Sequence, residues 1–192
     1  MGGGASRLGH RGMMADMSAS PLPLDPIAEA HRQWTKHGWG DVADGMAAVT
    51  SLMRAQQIML ARVEEVLKPT GLTFSRYELL TLLTFTKNGA LPMAKASARL
   101  QVHPTSVTNA VDRLESAGYV RRTPHPSDRR TTLVEITETG RALAVDATER
   151  LNDQVFAKPG LSDDKLLSLV RIITELRRAA GDFDDIGNKP TW

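Results

Sequence analysis

The sequence predicts a mainly α-helical protein in which a winged helix-turn-helix lies between longer flanking helices. Three features indicate this fold. Helix start and stop signals recur along the chain, apolar residues in its outer parts follow a period of about 3.6 residues, and two β-prone runs flank a loop rich in Pro and Arg at 119–136. The predicted order is α-α-α-α-β-β-α-α, preceded by one extra N-terminal helix.

The composition is that of a globular protein without thiol chemistry. The chain has 192 residues, of which 41% are hydrophobic and 24% are charged, and it contains no Cys. Disulfides, cysteine catalysis and cysteine-based redox sensing are therefore excluded, and a cytoplasmic location fits. No apolar run reaches the length of about 20 residues that a membrane helix needs, so we expect no membrane partner. Residues 1–24, rich in Gly, Ser and Met, predict a disordered extension in which Met13, Met14 or Met17 is an alternative start.

Two helices are predicted before the central region. Asp25 followed by Pro26 is typical of an N-cap and first helical position, so residues 25–40 predict a short extra helix that ends near His37. A long helix then runs from Asp41 to about Lys68. Its apolar stripe is too long to be buried within one small domain, so this helix, within residues 41–72, is predicted to pack against a partner. The apolar positions of the stripe are Val42, Met46, Val49, Leu52, Met53, Met59, Val63, Val66 and Leu67.

Residues 73–136 contain the predicted helix-turn-helix and its wing. Thr73 begins one helix, residues 91–100 form a second, and Pro104 opens a third that ends at Gly118. This third helix places Val107, Val111 and Leu114 on one face for the core. Its other face carries side chains of the right length for base edges and phosphates: Thr105, Ser106, Asn109 and Arg113. The alternative is an amphipathic helix whose polar face is merely solvated.

The hairpin after Gly118 favours the interpretation that the polar face of the third helix contacts DNA. Residues 119–131 hold four Arg and one Asp, whereas a solvated turn usually mixes its charges. A wing beside a recognition helix meets the minor groove, where Arg is favoured, and Arg129 is the predicted residue to enter it. Asp128 and Arg130 are predicted to order the loop as an ion pair beside this DNA contact.

The last two helices are predicted within residues 137–181. Thr137 with Gly140 indicates a cap and a close approach of the backbone to a neighbour, and Ser162 is predicted to cap the final helix. Residues 182–192 are predicted to be a loose tail. Charge separates the two regions, because residues 92–131 have seven Lys or Arg against three Asp or Glu, and residues 162–185 have four against six. Only residues 92–131 therefore have a charge that favours binding to a polyanion.

The segment LQVHPTSVTNAVDRLESAGYVRRTPHPSDRRTTLVEITETGRAL resembles the DNA-binding core of the MarR (multiple antibiotic resistance regulator) family. The DRLESAGYVRR segment, the SDRR wing and the strand leading into ITETGR carry the resemblance, and the helix order extends it over residues 41–180. It implies a homodimeric repressor that binds double-stranded DNA through a winged helix-turn-helix. The terminal helices would form the dimer, and the two recognition helices would lie about 34 Å apart on a pseudo-palindrome.

The resemblance also implies a small-molecule effector in the crevice between the dimer helices and the DNA-binding lobe. The extra helix resembles the PecS-like urate-responsive branch, whose effector-binding positions match Trp34, Glu78 and Arg121. The second Arg of that branch falls on Asn109, which argues against urate itself and leaves a small aromatic or anionic compound. Packing of the extra helix onto the dimer is the alternative explanation for Trp34, and a favourable charge near a helix N-terminus is the alternative for Glu78. The five His residues suggest neither a metal site nor a cofactor.

Two other classes of function are open to this chain. A winged-helix module that binds a protein, without sequence-specific DNA binding, would have the same fold, but the Arg-rich wing and the polar helix face argue against it. An enzyme is not predicted. His125, Ser127 and Asp128 lie together in a loop without a preorganised pocket, and the folded part of the chain has no phosphate-binding glycine loop.

Overall fold

The computed structural model describes residues 22–128 and 130–183. In these ranges seven α-helices and three strands follow one another: α1 (Pro26–Lys36), α2 (Gly40–Leu67), α3 (Phe74–Thr84), β1 (Ala90–Pro92), α4 (Met93–Leu100), α5 (Pro104–Ser116), β2 (Val120–Pro124), β3 (Thr132–Ile136), α6 (Glu138–Leu151) and α7 (Asp163–Ala179). A 3-10 turn follows α2 at Lys68–Thr70, and a π turn follows α6 at Asn152–Phe156. The predicted helix order and wing are confirmed. Arg129 and almost all of the predicted N-terminal extension and C-terminal tail lie outside the described residues.

The chain divides into two compact units, Met1–Gln56 and Gln57–Trp192, and the boundary lies within α2. In the first unit, α1 begins as predicted, because the Asp25 carboxylate accepts a hydrogen bond from the Ile27 backbone N–H at 2.9 Å. His31 Nε2 and Asp44 Oδ1 are 2.7 Å apart and join α1 to the start of α2. This unit is therefore a short helix held against the start of a long one.

The second unit contains one hydrophobic core built from all three strands and most of its helices. The predicted inner face of α5 is confirmed, since Val107, Val111 and Leu114 are at most 2% exposed. From the sheet, Val120 and Val134 enter the same core. The largest fully buried side chains are Leu67, Leu79, Leu80, Leu83, Leu114, Leu151, Val111, Val120, Val134 and Val155. Burial of these groups anchors α5 and the wing to one rigid body.

The sheet has one strand more than the sequence predicts. All pairs are antiparallel in the order β1-β3-β2, and Leu91 of β1 pairs with Val134 of β3. Residues 91–92 were expected to begin a helix, but α4 begins at Met93. A strand of three residues is too short to show a two-residue period, and Pro92 disguises it further. Pro is tolerated here because β1 is an edge strand.

The start of α6 confirms the predicted close approach at Gly140. The Thr137 backbone N–H donates to the Tyr119 carbonyl at 3.0 Å, and the Thr137 hydroxyl accepts from the Gly140 N–H at the same distance. A Cβ at position 140 would lie 2.0 Å from the Tyr119 carbonyl oxygen. Only glycine fits where α6 crosses the end of the turn that leads into β2.

No residue of the helix α7 is buried, which is also true of the short helix α1. Ser162 takes the N-cap position, but its hydroxyl makes no capping hydrogen bond, so the predicted cap is wrong in this detail. Asp163 and Asp164 in the first turn supply the favourable charge instead. Exposed apolar side chains line α7 at Leu167, Leu169, Val170, Ile172 and Leu176, and α2 at Val42, Val49, Leu52, Met53, Ile58, Met59 and Leu60. None of the described helices is long and apolar enough to cross a bilayer.

Candidate nucleic-acid interface

The outer face of α5 presents four polar side chains together. His103 and Pro104 begin the helix, and His103 Nδ1 accepts a hydrogen bond from the Thr105 N–H at 3.2 Å. The four predicted contact residues are all exposed and lie on the side opposite the core face: Thr105, Ser106, Asn109 and Arg113. Hydroxyl, amide and guanidinium groups on one exposed helix face can read base edges in a major groove.

An open groove of about 530 Å³ separates this face from the beginning of α3. Arg76 and Arg113 line it from the two helices, with Thr73, Ser75, Ser106 and Asn109 between them. The Thr73 hydroxyl caps α3 and also accepts a hydrogen bond from Arg76 Nε at 3.1 Å, which fixes the base of that side chain. Two guanidinium groups and several hydroxyls make this groove suitable for a phosphate backbone.

Arg122 holds the wing against the helix α5. Its backbone N–H donates to Glu115 Oε1 at 2.9 Å, while its guanidinium donates to Glu115 Oε2 and to Asp112 Oδ1. These hydrogen bonds, that with Asp112 first, raise the pKa of Arg122. This clamp is not predicted from the sequence, although Asp112 and Glu115 lie three residues apart and so share one helix face. Arg122 is therefore a structural residue of the wing and not one of its free cations.

We expect Arg122→Met to loosen this clamp and to lower the free energy of unfolding by about 1–2 kcal/mol, because Asp112 and Glu115 lose charged hydrogen bonds. Urea unfolding of the purified protein measures the change. Arg121→Met is the matched control, since the Arg121 guanidinium pairs within the sheet with Glu135, and we expect it to change stability little. Equal effects of the two substitutions would contradict the role of the clamp.

Arg121 lies on the exposed side of the sheet, opposite Glu135 in the strand register. Its guanidinium donates to both carboxylate oxygens, with Nη2 to Oε1 at 2.7 Å and Nε to Oε2 at 3.1 Å. The pairing lowers the pKa of Glu135 and raises that of Arg121. Arg121 thus has a carboxylate partner within the wing, and its role toward an effector stays a prediction.

The tip of the wing is ordered differently from the prediction. The described residues contain no ion pair between Asp128 and Arg130. Instead, Asp128 accepts hydrogen bonds from the Arg130 backbone N–H at 3.0 Å and from the Thr131 hydroxyl at 2.7 Å. These bonds, the hydroxyl first, lower the pKa of Asp128. A short carboxylate reaches these nearby donors within the turn before it reaches a long guanidinium. The exposed Arg130 side chain is therefore not used in forming the turn.

A second groove, of about 690 Å³, lies between the wing and the helices α4 and α5. Lys95 of α4 and Arg130 of the wing line it together with Thr108, His125, Thr131 and Thr132. The sequence showed these cations only as an excess of positive charge. The fold brings them to one side of α5, and it brings Arg76 and Arg113 to the groove on the α3 side.

The residues predicted for an effector lie in different parts of the chain. Trp34 belongs to the first unit, where its ring meets that of Trp39 edge-on with centroids 5.4 Å apart. Glu78 belongs to the second unit and is half-buried on α3, and burial raises its pKa. Across residues 22–128 and 130–183 no group of His, Asp and Glu side chains is arranged to hold a metal ion.

Comparison with known proteins gives one family. The MarR family profile matches residues 72–132, which include α3, α4, α5 and β2. The crystal structure of Sco5413, a MarR family transcriptional regulator from Streptomyces coelicolor, shares 49% identity with a TM-score of 0.67, and the match covers 74% of this chain and 99% of that one.

Two further matches show how far the similarity reaches. The HTH-type transcriptional regulator PrsX of Escherichia coli is 34% identical over 88 residues, which is 46% of this chain. The match spans 53% of PrsX, so about half the length of that relative is represented here. The structure of CouR from Rhodococcus jostii RHA1, bound to p-coumaroyl-CoA, is 30% identical with a TM-score of 0.57 and covers 65% of this chain and 87% of CouR.

Proposed function

Because the chain belongs to the MarR family of transcriptional regulators, we propose that it is a sequence-specific DNA-binding repressor that acts as a homodimer on a pseudo-palindromic operator. One observation carries the proposal: the exposed polar face of α5 lies beside a basic wing that Arg122 holds to the same helix. A protein that recognises a sequence in double-stranded DNA needs both the polar helix face and the basic wing, because base contacts give specificity and phosphate contacts fix the register.

In this proposal α5 enters the major groove. Asn109 is suited to pair with an adenine and Arg113 with a guanine or a phosphate, while Thr105 and Ser106 at the start of the helix contact base edges or the backbone. The wing reaches the adjacent minor groove through Arg129, with Asp128 shaping the turn and Arg130 facing phosphates. Residues 73–136 would thus form the DNA-binding domain.

Lys95 and Arg76 extend the proposed contact to the phosphates on both sides of α5. Both line grooves that open beside the recognition helix. Each phosphate contact releases counterions, so affinity should fall steeply with salt concentration.

The proposed second copy would cover the apolar residues that α2 and α7 leave exposed. On α7, Ile172 is 64% exposed and Leu176 is 54% exposed. Such rows of apolar side chains on helices are typical of surfaces that another helix covers. Residues 41–72 and 137–181 would therefore form the dimer interface and would set the spacing of the two recognition helices.

Release by a small-molecule effector is the third part of the proposal. CouR was crystallised with p-coumaroyl-CoA, which is both aromatic and anionic, and this supports a small aromatic or anionic compound. Trp34, Glu78 and Arg121 stay the predicted effector-binding residues. An effector would act by favouring a dimer whose recognition helices no longer match the operator.

The test starts with selection of an operator from a pool of random duplexes of about 30 base pairs, long enough for two half-sites one helical turn apart. We expect enrichment of a pseudo-palindrome and its protection in a footprint. Addition of urate, salicylate and related aromatic acids to the bound complex then tests release. A protein that enriches no sequence, but captures a protein partner, would instead be a winged-helix interaction module.

We expect Arg129→Ala to weaken binding to the selected operator and to reduce the slope of log affinity against log salt by about 1, because one minor-groove or phosphate contact is lost. Fluorescence anisotropy at several salt concentrations measures both quantities. Arg150→Ala is the matched control, because Arg150 is a half-buried cation on α6 that pairs with Asp146. Unchanged binding of Arg129→Ala would contradict the assigned role of the wing.

A further inference from the structure

The end of α7 is attached to the turn that precedes the recognition helix. Gln101 ends α4 with a left-handed backbone conformation, φ 54°, and within the described ranges it is the one non-glycine residue with positive φ. Two residues separate it from Pro104, where α5 begins. A contact that holds Gln101 therefore acts on the turn that orients α5.

Three side chains form this attachment, which we call the α7 latch: Gln101, Arg177 and Asp182. The Gln101 amide N–H donates to the Asp182 backbone carbonyl at 2.9 Å and to its carboxylate at 3.0 Å. The Gln101 amide oxygen accepts from Arg177 Nη2 at 3.2 Å, and Arg177 Nε donates to Asp182 Oδ2 at 2.6 Å. Both ends of the Gln101 amide are thus occupied, and the three side chains close a ring of hydrogen bonds.

The α7 side of the latch is held in place by the local backbone. Gly181 ends the helix with φ 69°, and the Asp182 N–H donates back to the Arg177 carbonyl at 3.0 Å. This pattern is a Schellman motif, which fixes Asp182 beside the last turn of the helix. The Phe183 ring lies against the guanidinium carbons of Arg177 and Arg178, with distances of 5.2 and 5.7 Å to its centroid. The Arg177 side chain is therefore oriented by contacts that do not involve Gln101.

We propose that the α7 latch couples the dimer helices to the recognition helix, so that α5 keeps a defined orientation to the dimer axis. The inference rests on the function proposed above. No residue of α7 is buried, and its apolar side chains are those assigned to a second copy, so the latch joins the interface helix directly to the helix-turn-helix. With the latch broken, each recognition helix samples more orientations, and operator binding has to select among them.

The latch is tested with Gln101→Asn, Asp182→Ala and the double variant, using the operator selected with the wild-type protein. Asn tolerates the left-handed conformation but is too short to bridge Arg177 and Asp182. We expect each single substitution to weaken operator binding about threefold to tenfold. The double variant should lose no more affinity than the single variant with the larger loss, because all three variants break one coupled unit. The salt slope should stay unchanged, since no phosphate contact is lost. Glu175→Ala is the control that removes an exposed carboxylate elsewhere on α7.

Hydrogen exchange of the turn at residues 101–104 gives a second readout that does not depend on DNA. We expect faster exchange in Asp182→Ala than in Glu175→Ala, with both proteins still dimeric by sedimentation. Wild-type affinity in the single variants, additive losses, a reduced salt slope or loss of the dimer would each overturn the latch. If the wild-type protein selects no operator, the proposed function fails instead, and unchanged exchange in Asp182→Ala would then overturn the latch independently.

Discussion

A Leu169→Asp variant is expected to lose the proposed dimer and, with it, at least about 100-fold of operator affinity. Leu169 is 43% exposed on α7, so the substitution should leave the fold of one chain intact. At a closed interface, however, the new carboxylate would be buried without a partner, which costs far more than its exposure. A single chain can hold only one half-site, and the gain from binding two linked half-sites, about 100-fold to 10,000-fold, disappears.

Ser168→Asp is the matched control for this variant. Ser168 is the neighbouring exposed residue of the same helix, and its hydroxyl donates to the Asp164 carbonyl within α7. It introduces the same charge about 100° around the helix. Sedimentation measures the mass of each variant and fluorescence anisotropy measures its affinity for the selected operator. A dimeric Leu169→Asp with wild-type affinity would exclude this face of α7 from the interface.

Gly140→Ala is expected to lower the free energy of unfolding by about 1–3 kcal/mol or more, the range for an overpacked core. The new Cβ would lie 2.0 Å from the oxygen and 2.9 Å from the carbon of the Tyr119 carbonyl. Both are backbone atoms, and the oxygen accepts the Thr137 N–H, so the clash is not relieved by turning a flexible side chain. Either α6 or the start of β2 has to move.

The measurement is urea unfolding, with Gly45→Ala as the matched control. Gly45 also lies within a helix, but nothing lies within 4 Å of a Cβ placed there. Helix propensity then favours Ala, so the control should be neutral or gain up to about 1 kcal/mol. If the two substitutions have the same effect, the packing of α6 on Tyr119 is not as close as described.

Local signals explain why the helices and their inner faces were predictable. The Asp25 cap, the Gly118 stop and the periodic Val107, Val111 and Leu114 each depend on residues within a few positions of one another. Such short-range preferences act before any tertiary contact forms. The Gly140 approach was predictable for the same reason, because a capping Thr followed three residues later by Gly is a local pattern.

Two predictions failed, one where several hydrogen-bond donors compete for a single carboxylate and one where a strand depends on a distant pairing partner. Asp128 was expected to bind the Arg130 guanidinium, but it binds the Arg130 backbone N–H and the Thr131 hydroxyl. Strand β1 was missed because its three residues acquire their conformation by pairing with β3. Pairing of this kind depends on a segment more than 40 residues away, which no local pattern records.

The sequence by itself determined the helix order, the core face of α5, the basic wing and the absence of cysteine chemistry, because each is written in residue type and local spacing. Only the tertiary structure decided which cations are free to meet a phosphate. Three arginines form ion pairs within the chain: Arg122 with Asp112 and Glu115, Arg121 with Glu135, and Arg177 with Asp182. Lys95 and Arg130 instead line an open groove. The physical reason is that ion pairs form between opposite charges that are close in space. For residues far apart in sequence, that proximity is set only when the chain folds.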